Sequence, residues 1–398
     1  MRLLLTHFSA GTPGGVDLIL AQHARLFAAR GHDVTIASSS QHNGRKSKNF
    51  VHVPKLSVRA ARELDSGKPG PAFGQEQKAI QDLFRPLIAG FDIVFLHNIF
   101  TMPFHLAWTA AMWQLATVPR RGRFVAWVHD LAACNPDYNF PHLSLKPWKL
   151  LASAHPRVEY VAISELRKRE FVSLTRLKPH RCRVIPNGVD ANELLRLSPR
   201  VARFVKGHGL LQKQLVLLHP ARLVRRKNVE LGLQVVEHLK TRGVDCCYLV
   251  TGAPDRHNSA SAIYAEELVH LRDKLGLTRD AFFLHESFPV TRRTLLSLYA
   301  VSDALFFPSK QEGFGIPPLE AAFLRLPVFC SDREPMNALI PDHFHFFDPA
   351  AAPAAIAKLV LETISRDNAS LARKKTLRDF EWQTIFTRHL EPLLRNKN

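Results

Sequence analysis

Residues 303–331, DALFFPSKQEGFGIPPLEAAFLRLPVFCS, decide the fold class. An apolar run at 303–309 is followed by a glycine-containing loop, a helical pattern over 316–325 and a second apolar run at 327–331. Neither run alternates with polar residues, which is the pattern of strands covered on both faces of a sheet. A strand, a helix and a second strand in this order therefore predict a parallel sheet with crossover helices.

The same pattern recurs along most of the chain. Further strands are predicted at 2–7, 33–38, 91–98, 124–130, 158–164, 182–188, 214–222, 246–252 and 281–286, and further helices at 16–30, 228–241, 260–275 and 292–301. The series pauses at about 190–212, and 398 residues exceed one ordinary core, so we expect two α/β domains. Segment 41–74 fits neither pattern, and we interpret it as a basic, mobile excursion from the first domain.

Composition excludes several classes of protein. The chain is 46% apolar and 22% charged, which is typical of a soluble globular protein. The longest apolar stretch, near 105–118, is too short to span a bilayer. The first residues contain a three-leucine run but do not resemble a signal peptide. The five cysteines form no CxxC pair and are expected to be free thiols, which favours a cytoplasmic location.

The formal net charge of +19 favours polyanionic partners. Nucleic acid, anionic lipid and phosphorylated substrates all fit, and so does a generally basic surface. A nucleic-acid-binding protein is the weaker alternative, because no reader motif occurs and the basic residues are not interleaved with aromatic ones. The basic segment 41–68 could attract an anionic lipid or a phosphorylated acceptor, or it could be disordered.

Two α/β domains leave a cleft lined by the carboxyl ends of their strands, so the residues after each strand are the most informative. Gly11, Gly14 and Gly15 follow the first strand and could let the backbone approach a phosphate, although a plain tight turn fits equally well. His97 and His129 end two later strands. They could bind sugar hydroxyls or move a proton, or be core histidines, and nearby ligands for a metal are lacking.

The turn ARLVRRKN, 221–228, places cations after a strand. Arg222 and Lys227 are predicted to neutralise a diphosphate, whereas Arg225 and Arg226 are interpreted as solvated surface charges. The chain contains no Asp-x-Asp pair, so a metal-bridged diphosphate lacks its usual ligands, and we expect no metal site.

The stretch EGFGIPPLE, 312–320, supplies two carboxylates around a bare loop. Glycine leaves backbone amides open, and proline is tolerated at a helix start. Glu320 is expected in the first helical turn, where the helix dipole favours a carboxylate. Because each carboxylate can accept hydrogen bonds from a vicinal diol, Glu312 and Glu320 together point to a nucleotide sugar. A helix cap beside a solvated carboxylate is the simpler alternative.

These motifs resemble a known family. EGFGIPPLEA resembles the E-x7-E segment of the GT4-type, retaining glycosyltransferases (glycosyl transferases group 1), which have the GT-B fold. GTPGGVD, WVHD, VAISE, VIPNGVD and PARLVRRKN resemble other family segments in the same order. The resemblance is strongest over 182–332 and thinnest over 40–90.

The resemblance implies two Rossmann-like domains that face a central cleft. Residues 1–195 would form the acceptor-side domain, residues 196–378 the donor domain, and the C-terminal helix 379–398 would pack back on the first domain. It further implies retaining transfer of a hexose from a UDP- or GDP-sugar to an unidentified acceptor, with no cofactor or metal. An anionic, phosphorylated or lipid-linked acceptor and peripheral membrane contact remain open, as do a nucleotide-sugar epimerase and a glycosyl phosphorylase.

The resemblance also implies residue roles. Arg222 and Lys227 would bind the diphosphate, Glu312 the transferred sugar, and Glu320 the ribose. Donor phosphate or sugar would meet the backbone at Gly14, Gly15, Gly313, Phe314, Gly315 and Ile316. His129 would lie near the anomeric carbon, and the leaving phosphate would take the acceptor's proton. Asp17 stands where the family often has Glu, and we interpret it as only a helix-start residue.

Overall fold

The computed structural model describes residues 1–10, 14–40, 49–118, 122–138, 142–255 and 258–395. The chain divides into two compact units. Unit 1 comprises Met1–Asn187 and Ile385–Asn398, and unit 2 comprises Gly188–Thr384. Each unit is built on one sheet whose ladders are all parallel. This confirms the predicted α/β class with two Rossmann-like domains.

Unit 1 contains a seven-stranded sheet in the order β3-β2-β1-β4-β5-β6-β7. Its strands are β1 (Arg2–Thr6), β2 (Asp33–Ser38), β3 (Phe50–His52), β4 (Ile93–His97), β5 (Arg123–Val128), β6 (Val158–Ala162) and β7 (Cys182–Val184). Its helices before residue 188 are α1 (Gly15–Ala28), α2 (Val58–Asp65), α3 (Pro71–Ala89), α4 (Leu106–Thr117) and α5 (Glu165–Thr175).

Unit 2 contains a six-stranded sheet in the order β10-β9-β8-β11-β12-β13. Its strands are β8 (Leu215–His219), β9 (Cys246–Val250), β10 (Ala281–Phe283), β11 (Ala304–Phe307), β12 (Val328–Ser331) and β13 (His345–Phe347). Its helices are α6 (Ala191–Leu194), α7 (Pro199–Gly207), α8 (Val229–Thr241), α9 (Ser259–Lys274), α10 (Arg292–Val301), α11 (Ile316–Phe323), α12 (Met336–Leu339), α13 (Pro353–Arg366) and α14 (Asn368–Phe380).

Strand β8 shows why the apolar runs are continuous. Leu215 and Leu217 belong to the core on one face of the sheet, whereas Val216 and Leu218 belong to the core on the other. Successive side chains of a strand point to opposite faces, so burial on both faces requires an apolar residue at every position. All eleven predicted strands occur, and β3 and β13 were missed.

The prediction of a mobile excursion at 41–74 is wrong for the part of it that the structure describes, 49–74. Strand β3 adds to the edge of the sheet beside β2, and α2 buries Ala60 and Leu64 in the core of unit 1. Glu63 accepts hydrogen bonds from the amides of Ala72 (3.3 Å) and Phe73 (3.0 Å), which cap the start of α3. Residues 41–48 lie outside the described residues.

The two ends of unit 2 are joined by a short parallel bridge between Val189 and Glu381. The amide of Val189 donates to the Phe380 carbonyl at 2.8 Å, and the amide of Trp382 donates to the Val189 carbonyl at 3.1 Å. A Cβ on Gly188 would lie 2.7 Å from the Trp382 ring, so only glycine fits beside it. Both ends of the segment are therefore fastened to each other.

After this bridge the chain continues through α15 (Trp382–Ile385), a π-helical turn (Phe386–Leu390) and α16 (Glu391–Arg395). Residues from Ile385 onward belong to unit 1, where the Arg123 guanidinium of β5 donates to the Leu393 carbonyl at 2.8 Å. Arg30 of unit 1 stacks over the Phe386 ring. No helix within the described ranges is long and apolar enough to cross a bilayer.

Candidate active site

The loops after β8 and β11 lie side by side in unit 2. These strands are neighbours, with Leu217 opposite Ala304, although β9 and β10 come between them along the chain. The strand order reverses between them, and ligands of open α/β sheets bind at the carboxyl ends of strands at such a point. The turn 221–228 and the loop 308–316 therefore form one candidate site.

Gly252, after β9, allows the turn after β8 to fold closely. Its amide donates to the Ala221 carbonyl at 2.8 Å. A Cβ at this position would lie 2.4 Å from the Arg222 Cα, so any side chain would displace the backbone. The glycine thus fixes the start of the segment that carries the cations.

Lys227 and Glu312 form a direct ion pair between the two loops, in which the lysine Nζ donates to Oε1 of the carboxylate. Both side chains are nearly buried, with exposed fractions of 11% and 9%. Burial lowers the pKa of Lys227, and the Glu312 carboxylate opposes this shift. A buried carboxylate beside a buried ammonium is stable only as a pair, so each residue depends on the other.

Arg226 completes the surroundings of Glu312. Its guanidinium lies 3.6 Å from the second carboxylate oxygen, Oε2, and donates to the Gln311 carbonyl at 3.1 Å. Arg226 is 43% exposed, as expected of a solvated charge, but it also has a contact with Glu312 that the sequence did not reveal. It was missed because its neighbour Arg225, which pairs with Glu267 at 2.7 Å on the surface, looks the same in the sequence.

Arg222 pairs with Asp255 at 2.9 Å, and its side chain is 60% exposed. Its positive charge still lowers the pKa of Lys227, together with that of Arg226, so the three cations act on the same place. This side chain therefore stands at the open side of the cation group, where it can move to meet an anion.

The loop 313–316 presents unused hydrogen-bond donors. Gly315 has φ +102°, which L side chains rarely adopt, and a Cβ there would lie 3.1 Å from Leu339. Within the described part of the chain, no acceptor pairs with the backbone amides of 313–316. Pro317 and Pro318 follow and carry no N–H, so the donors of this helix start are confined to the glycine loop.

Glu320 is the fifth residue of α11, so its predicted place in the first helical turn is wrong. Its carboxylate instead pairs directly with Arg292, the first residue of α10. The Tyr299 hydroxyl donates to the Pro317 carbonyl at 3.4 Å, and burial followed by the charge of Glu320 raises the pKa of this tyrosine. Arg292 thus orients Glu320, and it was not found from the sequence.

In unit 1 the strand order reverses between β1 and β4, and histidines occupy the ends of β4 and its neighbour β5. His97 ends β4, and His129 follows β5. The Nδ1 atom of His97 lies 2.9 Å from the Nε2 atom of His129, and both side chains are buried. Burial lowers the pKa of each well below the usual range, and nearby histidines lower it further, so both rings are neutral at physiological pH.

The end of β1 carries a second polar pair. Asp17 on α1 is buried, lies 3.1 Å from Nδ1 of His7 and accepts a hydrogen bond of 3.1 Å from the Ser9 hydroxyl. The interpretation of Asp17 as only a helix-start residue is therefore wrong. Gly14 and Gly15 begin α1 beside it, whereas Gly11 lies outside the described residues.

Two family models match this chain in succession. Residues 13–193 match the model described as Glycosyltransferase Family 4, and residues 202–378 match the model described as Glycosyl transferases group 1. The chain belongs to the GT4-type glycosyltransferases. Most of the first match lies in unit 1 and the second lies in unit 2, so the two Rossmann-like units are those of the GT-B fold.

Two sequence relatives of this GT4-type glycosyltransferase carry different names. It is 24% identical over 330 residues to the D-inositol 3-phosphate glycosyltransferase of Mycobacterium sp. (strain JLS), an alignment that covers 80% of this chain and 70% of the relative. It is 23% identical over 373 residues to the mannosylglucosylglycerate synthase of Thermotoga maritima, covering 84% and 81% of the two chains.

Solved structures similar to this glycosyltransferase include a glycosyltransferase from Rickettsia africae (17% identity, TM-score 0.37, covering 100% of this chain and 99% of that one). The Anabaena protein Alr3699/HepE in complex with UDP gives 17% identity and a TM-score of 0.37, with 99% of each chain covered. Superpositions with TM-scores this low carry no weight for the site.

Within this glycosyltransferase, the structure brings Lys227 and Glu312 together, adds Arg226, and leaves the amides of 313–316 open. It places His129 and Gly14 at the carboxyl edge of the sheet of unit 1. No group of three or more His, Cys, Asp or Glu side chains able to hold a metal ion occurs in the described ranges.

Proposed function

We propose that this glycosyltransferase transfers a hexose from a UDP- or GDP-sugar to an acceptor with retention of the anomeric configuration and without a metal ion. The observation that carries the proposal is the placement of Arg226 and Lys227 beside Glu312, with the charge of Arg222 acting on Lys227, next to backbone amides that have no acceptor among the described residues.

A diphosphate fits the charge of this group. Lys227 has three N–H bonds, so its ammonium can keep the Glu312 carboxylate while it donates to a phosphate oxygen. Arg222, mostly exposed, can leave Asp255 and offer its planar fork to a second phosphate. The amides of the glycine loop add hydrogen bonds without further charge, which is how anions bind at helix starts.

The two carboxylates suit the hydroxyls on either side of that diphosphate. Glu312 would bind hydroxyls of the transferred sugar, and Glu320 would bind the ribose. Arg292 already holds Glu320 in place, so little side-chain entropy is lost when a ribose hydroxyl pairs with the remaining lone pairs of this carboxylate. His129, which the resemblance places near the anomeric carbon, is proposed to bind the transferred sugar.

In the proposed reaction the acceptor hydroxyl attacks the anomeric carbon from the face that the diphosphate leaves. The bond between the anomeric carbon and the phosphate oxygen breaks, the bond to the acceptor oxygen forms, and the acceptor's proton passes to the departing phosphate. Arg222 and Lys227 stabilise the negative charge that develops on this phosphate. No covalent bond to the enzyme is formed.

Calorimetric titration with UDP and with GDP, each with and without EDTA, tests the proposal. We expect one nucleotide to bind with the same affinity in both buffers. If neither binds, the transferase assignment to a UDP- or GDP-sugar is wrong, and if EDTA abolishes binding, the metal-free part is wrong. The sugar that is hydrolysed slowly without acceptor then identifies the donor, and NMR of the transferred product shows whether its anomeric configuration is retained.

We also propose an anionic acceptor presented at a membrane surface. Lys55, Arg59, Arg62 and Lys68 lie around α2, in a chain of net charge +19. Deleting this segment would remove core residues, so charge reversal is the better test. Replacing Lys55, Arg62 and Lys68 with Glu should reduce co-sedimentation with phosphatidylglycerol vesicles and leave the thermal midpoint unchanged. Equal co-sedimentation of variant and wild type would contradict membrane contact.

A further inference from the structure

The dipeptide His97–Asn98 at the end of β4 lies against His129 from two sides. The fully buried His97 ring faces the His129 ring at a centroid distance of 5.2 Å and an interplanar angle of 26°. The next residue, Asn98, accepts the backbone N–H of His129 at 2.9 Å and that of Asp130 at 3.2 Å through its side-chain oxygen. One dipeptide therefore contacts both the ring and the backbone of His129.

Asn98 reaches this position through an unusual backbone conformation. Its φ is +59°, in the left-handed region that asparagine tolerates better than most residues. Its own amide donates to the Trp127 carbonyl at 2.9 Å, which ties it to the end of β5. The start of the turn after β5 is thus held by the residue that follows the neighbouring strand β4.

The proton count of the two rings limits how they can pair. A neutral imidazole carries one N–H, so only one of the two facing nitrogens, His97 Nδ1 and His129 Nε2, can donate. If His129 donated, the proton of His97 would sit on Nε2, which is buried and has no hydrogen-bond partner among the described residues. A buried N–H without an acceptor is rare in folded proteins, and it is avoided if His97 donates from Nδ1.

We propose that His97 and Asn98 are positioning residues that hold His129 as the neutral tautomer with its proton on Nδ1. His129 then presents an N–H donor at the nitrogen that His97 does not cover. Such a donor suits an oxygen of the transferred sugar and cannot accept a proton from the acceptor. The role of His129 in sugar binding rests on the proposed function, whereas its tautomer does not.

Long-range ¹H–¹⁵N correlation spectra of the ¹⁵N-histidine-labelled full chain test the tautomer without any substrate, with a His129→Gln sample to assign the signals. We expect a protonated Nδ1 and a bare Nε2 for His129 in the wild type. His97→Phe, which keeps an aromatic ring but loses the nitrogen, should give a mixture of both tautomers. A protonated Nε2 in the wild type, or an unchanged tautomer in the variant, would overturn the proposal.

Asn98 variants keep the test open if His97→Phe does not fold. Asn98→Gly retains the left-handed backbone but removes the acceptor oxygen, whereas Asn98→Asp retains an oxygen. With thermal midpoints close to wild type, we expect Asn98→Gly to lower kcat about tenfold at unchanged donor KM, and Asn98→Asp to restore most of it. Equal kcat in all three proteins would reject the role of Asn98. A fixed tautomer in a protein without transferase activity would reject the proposed function alone.

Discussion

The two sheets of this glycosyltransferase carry polar groups at equivalent places but stabilise them by opposite means. Near the reversal point of unit 1, His97 and His129 are buried, neutral and paired with each other. At the reversal point of unit 2, Lys227 and Glu312 form a nearly buried ion pair. The first arrangement can offer hydrogen bonds without charge, and the second can accept a charged ligand by exchanging partners.

Acid should affect the two units unequally, which is the largest effect we expect. In unit 1, burial lowers the pKa of His23 to about 3 and those of His97 and His129 well below the usual range. In unit 2, burial lowers the pKa of the fully buried His219 to about 3. Below pH 6.5 these histidines bind protons in the unfolded chain but not in the folded chain. Their contribution to the free energy of unfolding is therefore fully present above pH 6.5 and falls as the pH decreases. The slope is about 1.4 kcal/mol per pH unit for each histidine.

Hydrogen exchange of each unit at pH 7 and pH 5, corrected for intrinsic rates, measures this difference. Unit 1 should lose protection first, and His23→Phe should reduce its acid sensitivity while unit 2 stays unchanged. Earlier loss of protection in unit 2 would show that buried histidines do not set the acid stability of this protein.

Replacing Glu312 tests the charge-compensated site. Glu312→Gln keeps the shape but removes the charge that pairs with Lys227, and it also weakens the proposed hydrogen bonds to the sugar. Two hydrogen bonds to the charged carboxylate, each worth about 1.5–3 kcal/mol, would be lost or weakened, so turnover should fall about a hundredfold or more. Steady-state kinetics and the thermal midpoint measure both consequences. Wild-type turnover in this variant would exclude Glu312 from the reaction.

Much of the fold, but less of the site, could be predicted from the sequence. Continuous apolar runs revealed eleven strands because both faces of each sheet are covered. Strand β3 was missed since FVH is short and only half-buried. The contact of Lys227 with Glu312 depends on β8 lying beside β11, and sheet order is not written in either loop. Arg292, 28 residues before Glu320, gave no local signal for the same reason.

Glu320 should affect binding more than turnover. Glu320→Ala removes the proposed partner of the ribose, at a cost of about 1–3 kcal/mol, so the donor KM should rise about tenfold to a hundredfold with little change in kcat. Arg292→Ala is the matched control, because it frees the carboxylate without removing it and should raise KM less. A variant that loses kcat at unchanged KM would move Glu320 from binding to chemistry.

The smallest effect is expected from Arg225, which separates surface charge from site charge. Arg225 pairs with Glu267 at the surface, and such exposed pairs add little. Arg225→Ala should leave donor KM and kcat unchanged, whereas Arg226→Ala, one residue later, should raise the donor KM several-fold because Glu312 loses a neighbouring cation. Equal effects of the two substitutions would indicate that only total charge matters in this turn.

The bridge between Val189 and Glu381 gives unit 2 the topology of an insertion cassette. Since its entry and exit are fastened to each other, the segment 188–384 closes on itself along the chain, and unit 1 consists of the residues before and after it. Recombination could replace it in a single exchange while the interrupted host keeps its own strand order. The two units could then be inherited from different ancestors.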